Sequence, residues 1–424
     1  MRRAAPPGKG SVFLLAPGAA CYRPPVARRL TLDFLKTESG SGLILAVAAL
    51  AAVAAANSPW SASYFAFVDA PIAVRLGDFA QTRSVLAWVK DGLMAIFFLV
   101  VGMEIKFEIL RGELSSPRRL ALPVFAALGG MVAPALVYLA VNLAPGGAPG
   151  GWPTATATDI AFALAALAMV APRMPAALRV FLLTLAITDD LGAVGLIALL
   201  YTSKLHLLSL AGAGGALAAL ALLSRWKRAP FAFYGALFVI VWAFTLQSGV
   251  NACVAGIACA FTVPIGARRP GQESVLKYFM DSLHPYVAYA ILPLFAFTAA
   301  GFSFQAIGPR QVLTPIPLGI AAALVIGKPL GVFGFSLLAA ATRIGRRPAG
   351  VSWLELLGAA MLCGVGFTMS LYIGALAFAA GGAPVQGEVR LAVIAGSLAS
   401  ALAGGALLAV AQAARTARGE DGGG

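Results

Sequence analysis

Charge is scarce in this chain of 424 residues. Only 11% of the residues are charged, under half the usual share of about 25%, which excludes an ordinary water-solvated globular surface. Histidine occurs twice, and the four cysteines (Cys21, Cys253, Cys259, Cys363) form no CxxC or Cys/His grouping. That scatter argues against a disulfide framework or a resident metal site. No G-x-x-x-x-G-K-[ST] run is present, so nucleotide hydrolysis on a P-loop is excluded. Acidic residues are the rarer sign, 17 against 31 basic. The basic excess lies in short clusters between apolar runs, which is a topology signal and not a nucleic-acid-binding face.

What fills the chain instead is apolar sequence: 60% hydrophobic residues and a mean hydropathy of +0.87. The fold class expected is an all-α polytopic membrane protein. Spans of roughly 20 residues fall at about 42–58, 86–110, 121–142, 155–171, 176–201, 207–225, 231–246, 249–266, 276–299, 315–340, 354–378 and 388–412. Twelve is even, so both termini share a side. The loops on that side carry fourteen Lys and Arg residues, from Arg111 to Arg347, and the opposite loops carry five: Arg75, Arg83, Lys204, Arg310 and Arg390. The bias places both termini in the cytoplasm. Residues 1–30, rich in Pro, Arg and Gly, read as a disordered cytoplasmic tail, 31–412 as one transmembrane domain and 413–424 as a second cytoplasmic tail. The apolar piece of the first tail is short and broken by Pro17, which makes a poor signal peptide. One loop, 59–85, is longer than the rest, and Val74-Arg-Leu-Gly77-Asp78-Phe-Ala80 carries a modest hairpin signal. An isolated hairpin is marginal in water, so it would pair with a second protomer; an irregular loop fits the same residues.

Two adjacent acids organise the rest. Between Arg179 and Lys204 nothing is charged except Asp189 and Asp190. An ionised Asp at the centre of a spanning helix costs at least ~2.5 kcal/mol, so a pair of them reads as an ion or proton site facing a cavity. Asp159, in Ala155-Thr-Ala-Thr158-Asp159-Ile-Ala-Phe162, lies in a segment too rich in Thr for an ordinary spanning helix. It is read as an interrupted helix, since irregular backbone at membrane depth lines a cavity or is buried in protein. Cys363-Gly364-Val-Gly366-Phe-Thr368-Met-Ser370 is either a second break or a close-packing surface. Asp159 and Asp189 lie about 15 residues either side of the turn Pro172–Pro175, hence roughly 20 Å from it and near mid-bilayer. Lys328 precedes the basic turn Arg343–Arg347 by a similar distance. At that depth it needs an anion, and the nearest candidates by depth are Asp189 and Asp190.

These runs resemble those of the NhaA-type sodium/proton antiporters: Ala157-Thr-Asp-Ile-Ala-Phe-Ala-Leu164, Leu185-Ala-Ile-Thr-Asp-Asp-Leu-Gly192, Ile326-Gly-Lys-Pro-Leu-Gly331 and Cys363-Gly-Val-Gly-Phe-Thr-Met-Ser370. So do Asp91-Gly-Leu-Met-Ala-Ile-Phe-Phe98, Val101-Gly-Met-Glu-Ile-Lys106, Leu283-His-Pro285 and Ile291-Leu-Pro-Leu-Phe-Ala-Phe297. The similarity covers about residues 36 to 412. It implies two inverted-topology repeats, about 121–201 and 317–412, with two interrupted helices crossing near the membrane middle. It further implies that Asp190 and Asp189 are the cation- and proton-binding pair, with Thr158 and Asp159 beside them. Thr158, Gly364, Gly366 and Thr368 would form the crossing. Lys328 would pair with Asp189, offset the helix ends, or carry a proton. Glu104, Glu108, Asp281 and His284 would lie at a cytoplasmic, pH-responsive entrance, although Glu104 and Glu108 at i,i+4 spacing also fit a solvated helix end. One departure stands out: where the family often has Gly-Val-His, this chain reads Gly249-Val250-Asn251.

The expected function is a secondary transporter and not an enzyme: electrogenic, pH-regulated export of Na⁺ or Li⁺ for H⁺ entry across the bacterial inner membrane. Its partners would be Na⁺, Li⁺, H⁺ and the lipid bilayer, with a homodimer through 59–85. No cofactor, nucleotide or nucleic acid is expected, and the only metal is transported Na⁺ at Asp189 and Asp190. An intramembrane aspartyl protease needs carboxylates converging across a cleft, whereas neighbours on one helix diverge. A cation channel would differ in lacking saturable, proton-coupled flux.

Overall fold

The computed structural model describes residues 26–76, 79–112, 117–202, 205–226, 230–266 and 274–418. The tail residues 1–25 and 419–424, Gly77 and Asp78 of the hairpin signal and the basic residues Lys204, Lys227, Arg228, Arg268 and Arg269 lie outside them. The described chain is helical apart from one hairpin. Among the described residues seven helices are long and apolar enough to cross a membrane, or ten if each bent pair counts as one span. Their outward faces carry large apolar side chains such as Leu199, Leu207, Leu208 and Leu402, 65–88% exposed. In water such a surface would aggregate; against lipid tails it is at home.

The first helix runs Val26–Ala56 and so begins well before the apolar run at 42. Hydropathy marks only the part of a helix that faces lipid, whereas backbone hydrogen bonding continues through the polar residues that precede it. Two helices pass each other at almost no distance: Pro117–Asn142 and Lys328–Ala341. A Cβ on Gly129 would collide with the carbonyl of Gly331, and one on Gly331 with that of Gly129. Glycine here permits backbone-to-backbone packing, the usual means of approach where lipid removes the hydrophobic drive between helices. Gly327 abuts Pro134 in the same way, its Cβ position 2.6 Å from Pro134 Cα.

Strands Pro71–Leu76 and Phe79–Ser84 pair antiparallel, with Ile72 opposite Arg83. The hairpin is fastened to the helices by Trp88 Nε1, which donates to the Ile72 carbonyl at 2.9 Å, and by an Arg83–Asp91 ion pair at 2.6 Å. Asp91 is thereby partnered by an arginine. It lies in a π-helical turn, Val89–Leu93, inside a continuous run to Arg111, and its work is to hold the hairpin.

Candidate functional site

Of the three bent helix pairs among the described residues, two are broken by 45° each: Pro149–Ala155 with Ile160–Val170, and Trp353–Leu362 with Phe367–Ala377. The breaks fall where Thr-rich and Gly-rich sequence leaves the backbone without its own partners, and each break supplies the other. Asp159 N–H donates to the Val365 carbonyl at 2.7 Å, and the Thr158 hydroxyl reaches the Cys363 carbonyl at 3.0 Å. Glycine is required at the second break: a Cβ on Gly364 would meet the Leu324 carbonyl, and one on Gly366 the Ser370 hydroxyl.

Asp159 ties the crossing together. Its Oδ1 accepts from Phe162 N–H at 3.1 Å, capping Ile160–Val170. Its Oδ2 accepts from Thr368 N–H at 3.0 Å and from the Thr368 hydroxyl at 2.5 Å, at the start of Phe367–Ala377. One carboxylate thus satisfies the orphan donors of two half-helices whose positive ends face each other.

Asp189 and Asp190 project from the unbroken helix Ala176–Leu200 beside this crossing and are 0% and 2% exposed. Adjacent residues on a helix point about 100° apart, and the two meet different surroundings. Asp189 Oδ2 accepts from Lys328 Nζ at 2.6 Å and from the Thr158 hydroxyl at 2.7 Å. Lys328, fully buried, also donates to the Thr156 carbonyl at the first break. A Cβ on Gly130 would stand 2.8 Å from Val332 Cγ2, so glycine lets this helix lie close against Lys328–Ala341. The Thr158 hydroxyl has one proton and two acceptors in reach, so only one of its two bonds forms fully at a time.

Asp190 turns away from this knot. Its buried Oδ1 has no hydrogen-bond partner, and the side chain borders a small cavity of about 70 Å³ shared with Thr158, Asp159, Thr368, Glu104 and His284. A buried carboxylate oxygen left unmatched is costly, and its hard oxygen neighbours are the ligand type an alkali cation takes. Glu104 Oε1 stands 3.7 Å from His284 Nδ1. Glu108 follows Glu104 by one turn and is half-buried, and Asp281, one turn before His284, is exposed. Only Glu104 and His284 of these four reach the cavity wall.

Two further residues have partners that sequence reading missed. Lys106 donates to the Phe261 and Val263 carbonyls, each at 2.6 Å, closing the end of the short helix Cys253–Thr262. Asn251 Oδ1 accepts from Tyr372 O–H at 3.1 Å and from Cys253 N–H at 3.0 Å. The Gly-Val-Asn departure is therefore wired to the broken helix. Spacing gave no hint of it, because the contact spans 121 residues.

A family model described as Na⁺/H⁺ antiporter 1 matches residues 32–408. The chain is 47% identical over 388 residues to "Na(+)/H(+) antiporter NhaA 1" of Syntrophotalea carbinolica, covering 92% of this chain and 98% of that protein. It is 45% identical over 380 residues to "Na(+)/H(+) antiporter NhaA 2" of Magnetococcus marinus, covering 88% and 96%. Against "Na(+)/H(+) antiporter NhaA" of Bordetella parapertussis the figures are 46% over 394 residues, 91% and 98%. With crossed broken helices, an adjacent acid pair and matches of this length, the chain belongs to the NhaA family of Na⁺/H⁺ antiporters.

Proposed function

We propose that this protein is a secondary active antiporter of the bacterial inner membrane that exports Na⁺ or Li⁺ in exchange for entering H⁺, electrogenic and pH-regulated. The observation that carries the reading is the unmatched Asp190 oxygen on a cavity that Thr158, Asp159, Thr368 and Glu104 also border. Ionised, Asp190 binds the cation; protonated, it releases it. Competition for one site couples the two fluxes and lets the proton gradient supply the energy. Asp189 is the second carboxylate, held by Lys328 until the cation or a proton displaces one of them. Thr158 and Asp159 border the site, and Thr368 with Gly364 and Gly366 forms the moving crossing. Glu104 and His284, with Glu108 and Asp281 outside them, form the pH-responsive entrance. About twelve spans, six of them in two inverted repeats at about 121–201 and 317–412, with both termini cytoplasmic, complete the architecture.

The test is Asp190→Asn in everted membrane vesicles. An amide cannot cycle between anion and neutral acid, so sodium-induced proton release falls to background at every pH. Release at the wild-type level would remove Asp190 from the mechanism.

A further inference from the structure

A cavity of about 860 Å³ lies away from the carboxylates, where three spanning helices end together. Its walls are Leu122 near the start of one span, Phe181 and Thr184 in the first half of Ala176–Leu200, and Arg343, Ile344 and Arg346 just beyond Ala341. Leu122, Val180 and Phe181 give it an apolar wall, and Arg343 and Arg346 line it as well.

The arginines are held in an unusual way. Among the described residues Arg343 is the only non-glycine with positive φ, at 60°. It occupies the left-handed position after a helix end that glycine, or sometimes Asn, normally takes. Its N–H donates to the Ala340 carbonyl, and that of Gly345 to the Ala339 carbonyl. Gly345 then lies so close to Leu122 that a Cβ would stand 2.9 Å from the leucine Cβ. The loop is thus pinned across the helix ends with Arg343 kept in an unfavourable conformation. Arg347 lies over the Trp353 ring at 5.4 Å and Arg415 pairs with Glu355 at 2.7 Å, whereas neither Arg343 nor Arg346 has an acidic partner among the described residues. The topology bias explains basic residues at this end of the molecule. It does not explain an arginine at a glycine position on the edge of a cavity.

We infer that this cavity is a binding site for an anionic glycerophospholipid. The phosphodiester takes the two guanidinium groups, which match phosphate oxygens in bidentate geometry, and the acyl chains lie along the apolar wall, as in other basic pockets between spanning helices. Thr184 stands on this wall five residues before Asp189, so the lipid fastens the Arg343–Ala349 loop to the helix that carries the acid pair.

Thermal unfolding of the full chain in neutral detergent tests this with three additives: dioleoylphosphatidylglycerol, dioleoylphosphatidylcholine and inorganic phosphate. The first raises the unfolding midpoint of the wild type, and the other two do not. Arg343→Gly combined with Arg346→Gln removes both charges and gives residue 343 its natural backbone, so the lipid-free midpoint is kept or raised. Its response then requires about tenfold more phosphatidylglycerol, as mass action demands of a weakened site. Arg225→Gln, at another helix end, retains the wild-type response. Should the double variant fail to fold, Arg343→Asn with Arg346→Gln replaces it. An unchanged phosphatidylglycerol response in the double variant overturns the proposal, as does an equal response to phosphatidylcholine. Equal stabilisation by inorganic phosphate would mean a simple anion site with no lipid specificity, and absence of any response in the wild type would mean no site.

Discussion

At the scale of single residues, the two neighbouring acids differ because one has a cation and the other has space. Removing Lys328 leaves Asp189 buried with only the Thr158 hydroxyl, and breaking a buried pair from one side typically costs ~3–5 kcal/mol. Lys328→Ala is therefore expected to unfold at clearly lower temperature in detergent. Adding Asp189→Asn to it should cost little more, since no lone charge then remains. Additive losses in that double-mutant cycle would show that the two do not act as a pair. Lys328→Arg separates anchoring from proton carriage: an arginine keeps the charge but does not titrate, so surviving electrogenic exchange rules out the lysine as proton carrier.

At the scale of elements, the crossing depends on side-chain caps, because a broken helix exposes four donors at each new N-terminus. Asp159 serves two such termini. Asp159→Ala should lose about 0.5–2 kcal/mol per cap, read as a fall in the unfolding midpoint, with Asp159→Asn between it and wild type because one acceptor oxygen remains. A midpoint equal to wild type in the alanine variant would show that the caps carry no weight. The first break was legible in the Thr-rich run before Ile160, since polar residues at mid-membrane need a reason. The second was legible only as a pair of alternatives, and the structure contains both: Gly364 and Gly366 mark a break and also a close approach. The π-helical turns at Val89–Leu93, Val287–Ile291 and Ala323–Gly327 left no trace in periodicity, because one extra residue in a uniformly apolar run changes no pattern. The depth argument put Lys328 level with two acids. The choice of Asp189 came from which face each helix presents, and that is fixed by partners far away in sequence, Thr156 and Thr158 among them.

At the scale of the whole molecule, the hairpin is an appendage tied to the helices by Trp88 and Asp91. Val85 N–H donates to the Ala70 carbonyl at 3.1 Å, so residues 71–84 leave and re-enter at one point and could be excised with Ala70 joined to Val85 through a short glycine linker, Asp91→Asn being added so that no lone buried carboxylate remains. A two-stranded sheet is marginal alone, and Ile72 on it is 45% exposed, so the expected partner is a second copy. Excision should convert a dimer to a monomer in light scattering of the detergent-solubilised protein while vesicle transport persists; an unchanged mass would refute that role. The close contact of Gly129 with Gly331, reinforced by Gly327 against Pro134, bears on the transport stroke itself. Two helices that touch backbone to backbone can neither roll nor slide past one another without collision. The backbone behind the lysine is thereby held to a frame, so the proposed parting from Asp189 is expected to fall to the carboxylate's helix or to the lysine's own stem.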